Sequence, residues 1–190
     1  MNELGLKILA CQTANDHEVR ILVDGGDWLG NDALGIDPPE FFAQPALLSE
    51  GGLLVGRCDC GCVGCCDVKV DVLRTECEVV WSNPSGLRLA FDRASFDLTV
   101  ATAREDTSWE DVRRTAERLV TKELFGTSTA DCYTFGWASA RIADGTITLS
   151  FNRAGDQRLY KFSWDGLSPE SALENARGFS AGLPLLRGQD

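Results

Sequence analysis

The chain has 190 residues, 44% of them apolar and 25% charged, ordinary proportions for a folded globular protein that exclude disorder as the starting assumption. Its 29 acidic residues outnumber 18 basic ones, and a formal charge of -11 excludes nucleic acid as an expected partner, since that affinity comes from Lys and Arg neutralising phosphates. Apolar runs such as Ala46-Leu47-Leu48 and Leu53-Leu54-Val55 are far too short to span a bilayer, so no membrane partner is expected either.

Residues 4–8 and 19–23 read as strands, the second halted by the turn residues Asp24-Gly25-Gly26. Glu3 stands where a secretory leader carries basic residues, and no long apolar stretch follows, so a cytoplasmic location is expected. In Asp37-Pro38-Pro39-Glu40, Asp37 reads as a helix cap and Pro38 as the first position of a short helical turn. Leu53-Leu54-Val55 opens a strand that runs into a cysteine-rich segment. Beyond it Val68-Lys69-Val70-Asp71-Val72 alternates apolar and polar residues, the pattern of a half-buried strand. Residues 78–81 and 87–91 continue the succession across the turn Asn83-Pro84-Ser85-Gly86. Short connections of this kind predict an antiparallel meander. Residues 96–102 fit both periods, and helix is preferred.

The firmest periodicity follows. Ser108 and Asp111 form a capping-box-like start, and Trp109, Val112, Ala116, Leu119, Val120 and Leu124 recur at three- and four-residue steps before Gly126. This predicts an amphipathic helix packed on the meander. Residues 133–137 then lead to the hairpin signal Asp144-Gly145, residues 147–151 return, and a second turn near Ala154-Gly155 feeds residues 159–164. Ser168-Pro169-Glu170 opens a last short helix ending near Gly178. The expected fold is α+β: a β-meander packed by an amphipathic helix, then a small three-stranded antiparallel unit and a C-terminal helix. The polar stretch 126–131 is the expected boundary, giving a main lobe over 1–126 and a second unit over 127–190 packed on it.

Five of the eight cysteines lie in Cys58-Asp59-Cys60-Gly61-Cys62-Val63-Gly64-Cys65-Cys66. Four thiolates closing around zinc is one reading, with Cys58, Cys60, Cys62 and Cys65 as the candidate ligands and Cys66 as the substitute for Cys62. Against it, zinc folds ordinarily draw two ligand pairs from separated stretches, and the single histidine, His17, reads as a surface or strand residue. A redox Cys-x-x-Cys ordinarily opens a helix, whereas this one precedes a strand and is flanked by Asp59 and Asp67, which raise a thiol pKa. The plain alternative is a tight strand–turn–strand connection, with Gly61 and Gly64 supplying positive φ and cysteines packed beneath the turn. That turn is the expected outcome. No cofactor is expected, and zinc is the alternative.

The combination of Leu22-Val23-Asp24-Gly25, Cys58-x-Cys60-Gly61-x-x-Gly64-Cys65 before a strand, Val80-Trp81, and Ser108-Trp109-Glu110 resembles a family of uncharacterised bacterial proteins. The likeness covers roughly the first two-thirds of the chain. Its most specific piece is the Cys-x-Cys-Gly-x-x-Gly-Cys turn, to which Cys62 and Cys66 are additions. The resemblance implies no catalytic residue and directs attention to Cys58, Cys60 and Cys65.

Other motifs fail on context. Gly178-Phe179-Ser180-Ala181-Gly182 matches a nucleophile elbow, but it follows a predicted helix and has no histidine after it. Gly51 to Cys58 begins like a phosphate loop yet lacks the Lys and Ser/Thr that touch phosphate and magnesium. Asp24, Asp27 and Asp32, with Asn31 and Asp37, make an acidic stretch without the spacing of a calcium loop. The functional expectation is a non-enzymatic cytoplasmic interaction domain, immunity- or antitoxin-like, that presents Asp24, Asp27 and Asp32 to a basic protein partner. A small zinc protein is the alternative, and an enzyme using those same acids is a third reading.

Overall fold

Every strand pair in the sheets is antiparallel in the computed structural model, which describes residues 1–11, 16–31, 33–58, 60, 64–182 and 185–187. The chain divides into two units, Met1–Trp109 and Glu110–Asp190, and the α+β class is as expected. Among the described residues no helix is long and apolar enough to cross a membrane.

In the first unit β1 (Leu4–Cys11) and β2 (Asp16–Val23) pair along their whole length, and the two-residue β3 (Gly26–Asp27) extends that sheet. A second sheet takes β4 (Ala33–Leu34), β5 (Gly51–Cys58), β6 (Asp67–Arg74), β7 (Glu78–Ser82) and β8 (Arg88–Asp92) in simple sequence order. This is the expected meander, with α1 (Pro38–Phe42) between β4 and β5 and α2 (Arg93–Glu105) after β8. The Val19 N–H donates to the Ile36 carbonyl at 2.8 Å and ties β2 to the chain entering α1. Gly35 permits that approach, because a Cβ there would lie 2.3 Å from the Val19 carbonyl oxygen.

Val70 and Val72 point inward while Lys69 and Asp71 face out, as the alternation in β6 requires. They join Val19, Ile21, Ile36, Leu53, Val55 and Val79 in one core, each such burial contributing about 1.5–3 kcal/mol. Trp81 is its centre, with the rings of Phe91 and Phe96 at 5.1 and 5.9 Å. The ambiguous segment is helical, and its cap explains why. The Asp92 carboxylate accepts the Ser95 N–H at 2.8 Å, which starts α2 and puts Phe96 and Val100 inside while Leu98 is exposed. A strand would have sent all three to one face.

In the second unit α3 (Val112–Leu124) starts later than Ser108. Asp111 is the N-cap and accepts the Arg114 N–H at 2.8 Å, while the Ser108 N–H donates to the Asp106 carboxylate. Trp109 therefore precedes the helix instead of lying on its apolar face. The strands β9 (Thr127–Thr129), β10 (Thr134–Ala143), β11 (Thr146–Arg153) and β12 (Asp156–Ser163) are followed by α4 (Pro169–Gly182) and β13 (Leu185–Arg187). Their sheet order is β12-β11-β10-β9-β13, so the expected three-stranded unit is present and is widened by two short strands. Residues 178–182 lie within α4, which extends past the expected end at Gly178.

Ala116, Val120 and Leu124 of α3 are buried with Phe135, Ile147, Leu149 and Phe151 of β10 and β11. The division between units thus falls at 109/110, not at 126/127, and this helix belongs with the second sheet. An apolar stripe shows that a helix face needs cover, and it does not say which sheet supplies it. The alanines Ala116, Ala172 and Ala176 are fully buried where α3 and α4 pack together. One charged network sits in this core. The Glu117 carboxylate, 7% exposed, accepts from the Ala140 N–H at 2.8 Å, the Ser139 hydroxyl at 3.1 Å, Arg141 Nε at 2.9 Å and Arg114 Nη1 at 3.2 Å.

Candidate metal centre

The β5–β6 hairpin carries the cysteines at its tip. Its register pairs Arg57 with Asp67 as the last ladder position, and the Cys58 N–H donates to the Cys66 carbonyl at 3.1 Å just beyond it. Cys58 therefore ends one strand opposite Cys65 and Cys66, which precede the other. Gly64 turns the chain with φ +76°, a conformation that costs an L-residue about 1–2 kcal/mol, and its N–H donates to Asp67 Oδ1 at 3.3 Å. Asp67 is held in turn by Lys69 at 3.2 Å and lies 3.8 Å from Arg57, which also pairs with Glu40 at 2.5 Å. This arrangement fixes the base of the tip electrostatically, while Cys60, Gly64, Cys65 and Cys66 are exposed.

The sulfurs of Cys58, Cys65 and Cys66 all lie within 4.8 Å of one another. The Cys60 sulfur is 2.8 Å from that of Cys58. Hydrogen bonding to Cys60 and then Cys58, reinforced by the negative charge of both as thiolates, pushes the Cys65 thiol up to about 12. Crowding that penalises a further negative charge is what a cation relieves, since metal binding deprotonates a coordinating thiol outright. Thiolates at about 2.3 Å from zinc stand about 3.8 Å apart, inside the 4.8 Å that bounds the Cys58, Cys65 and Cys66 sulfurs.

Of the four ligands expected from sequence, Cys58, Cys60 and Cys65 come together, and Cys62 lies outside the described residues. Cys66, the expected substitute, takes a place in the cluster. Counting hairpin register inward from Arg57 and Asp67 is the signal that marks it. The same register answers the objection that all the ligands lie in one short stretch, because the turn presents them from two strands. The expectation that cysteines pack beneath the turn is corrected: Cys58 is half-buried, but Cys60, Cys65 and Cys66 are exposed.

Two of the acidic candidates, Asp24 and Asp27, are engaged within the chain. Asp24, at φ 52°, accepts the Glu3 N–H and the Asn2 side-chain amide, both at 2.7 Å, and these bonds hold its carboxyl below the usual range. Asp27 is gripped by Arg20, which is 7% exposed and donates to it from Nε at 3.0 Å and from Nη2 at 2.9 Å. Arg20 also donates to the carbonyls of Ala33 at 2.7 Å and Gly30 at 2.5 Å, so Asp27 helps to hold the guanidinium that ties Gly30 and Ala33 to β2. Asp32 lies outside the described residues. His17 is a strand residue beside Trp109, ring centroids 5.1 Å apart, and no metal-ligand group among the described residues includes it. No protein-family model, curated protein or solved structure matches this chain.

Proposed function

We propose that the protein is a small metal-binding protein that holds a soft divalent cation, zinc in the first place, at the tip of its β5–β6 hairpin. The observation that carries this reading is the convergence of the Cys58, Cys65 and Cys66 sulfurs within 4.8 Å, with the Cys60 sulfur beside Cys58. Cys58, Cys60, Cys65 and Cys66 supply a thiolate set, the donor type that favours zinc over hard cations. A reducing cytoplasm, the expected location, keeps such thiols available for metal. The core of the first unit contains none of them, so the ion braces the tip and is not the nucleus of the fold.

Elemental analysis of protein purified under reducing conditions without chelator tests the proposal. About one zinc per chain is expected, falling to roughly a tenth of that in Cys58→Ser/Cys65→Ser. Wild-type protein with a metal content near zero refutes it.

The net charge of -11 favours a second reading, in which the chain docks on a basic protein. Recovery of a basic partner at low salt and its loss at high salt support that reading, and the absence of any salt-dependent partner counts against it.

A further inference from the structure

We infer that Cys58 and Cys60 form a redox-active dithiol whose oxidation to a disulfide excludes the metal, so the hairpin tip holds either a cation or this disulfide. The competition rests on the metal-centre reading above; the oxidation rests on separate geometry. The two sulfurs stand 2.8 Å apart. A disulfide bond is about 2.05 Å long, so the pair closes with a movement of about 0.8 Å. Cys60 is exposed and accessible to a small oxidant, and Cys58 is half-buried at the end of β5, placed to resolve it.

The co-reactant is a hydroperoxide. The Cys60 thiolate attacks the terminal peroxide oxygen, the O–O bond breaks, and the leaving oxygen takes a proton to depart as water or an alcohol. Cys60 is then a sulfenic acid. The Cys58 thiol attacks its sulfur, the S–O bond breaks, and hydroxide leaves as water with the proton that Cys58 gives up. Two electrons pass from the two sulfurs to the peroxide, and two thiols become one disulfide. The product sulfurs no longer carry the charge that makes a thiolate a ligand, and only Cys65 and Cys66 remain of the gathered set. By linkage, bound metal stabilises the dithiol against the disulfide by the same free energy by which the disulfide weakens metal binding.

The test uses the full chain, reduced, loaded with zinc and exposed to hydrogen peroxide, with a chromophoric chelator reporting free zinc and peptide mass mapping reporting the linkage. The expected result is a Cys58–Cys60 disulfide that forms in step with zinc release, and formation at least tenfold slower with excess zinc than without it. Cys60→Ser abolishes the linkage and slows peroxide-triggered release at least tenfold. Zinc that stays bound while the disulfide forms, a linkage between other cysteines, or thiols that resist peroxide in the zinc-free chain each overturn the inference. A chain that takes up no zinc and still forms the disulfide removes the metal-centre reading and the exclusion with it. A chain that holds zinc and never forms the disulfide overturns the inference alone.

Discussion

Glu117→Ala is the perturbation whose consequence the structure specifies most closely. Glu117 and Arg114 are 7% and 3% exposed, and the carboxylate is the common acceptor for Arg114, Arg141, Ser139 and the Ala140 amide. Truncation leaves the Arg114 charge and the Ala140 N–H without this acceptor in the core of the second unit. Removing one member of a buried charged pair costs about 3–5 kcal/mol. Hydrogen exchange of the β10 and β11 amides, read by mass spectrometry, reports the cost locally. At about 1.36 kcal/mol per decade, protection falls by roughly two to three and a half orders of magnitude. Replacing Arg114 together with Glu117 by Leu restores only part of the loss, because Arg141 and the Ala140 amide still lose this acceptor. A fall of less than about threefold in the single variant means that water solvates the network, and the reasoning fails.

The same residue predicts a pH dependence. Burial holds the Glu117 carboxyl above its ordinary 4.5, outweighing the Ala140 amide, the Arg114 charge and the Ser139 hydroxyl. The folded state then binds this proton more tightly than the unfolded chain. The resulting stabilisation is full below the unfolded value and is lost as pH rises through the raised one. Wild-type stability minus that of Glu117→Gln therefore falls as pH rises from 4.5. A difference that grows over that range reverses the sign and sinks the assignment.

Gly35→Ala drives a methyl to 2.3 Å from the Val19 carbonyl and is expected to destabilise the first unit by about 1–3 kcal/mol, measured by urea unfolding; an unchanged midpoint refutes the close approach. Phe96→Ala removes a ring from the Trp81 cluster and costs about 3–5 kcal/mol, whereas Leu98→Ala stays within about 0.5 kcal/mol, and equal costs would mean that α2 buries its other face. On the proposed metal centre, stripping zinc is expected to leave the far-UV circular dichroism unchanged at 25 °C and to lower the melting temperature, the linkage being worth about 4 kcal/mol at a thousandfold excess over Kd; collapse of the spectrum would make the ion a folding nucleus.

Much of the fold was legible in short-range pattern. The alternation in residues 68–72 placed β6, Asp144-Gly145 placed the β10–β11 turn, and Pro38 and Pro169 marked helix starts. Each rests on contacts between near neighbours, where a period of two or of 3.6 is written into the order of residues. The start of α3 shows the limit of such signals. Ser108 and Asp111 both suit a cap, and the backbone selects Asp111 by giving its carboxylate the Arg114 amide.

What the sequence by itself determined is a chain of acidic α+β character, its strand succession, and a dense run of thiols ending at Asp67. Tertiary structure decided which sheet covers α3, because the stripe Ala116, Val120 and Leu124 is equally apolar toward any partner and finds it in Phe135, Leu149 and Phe151. It also decided the fate of the acids, since Asp27 becomes a support only when Arg20 arrives beside it from β2. At the hairpin tip, composition supplied the cysteines and register arranged them. Pairing Arg57 with Asp67 sets Cys58 across from Cys65 and Cys66, and so turns a run of thiols into a cluster. Which residues face each other across a turn depends on ladder register, which hydrogen bonds between strands define.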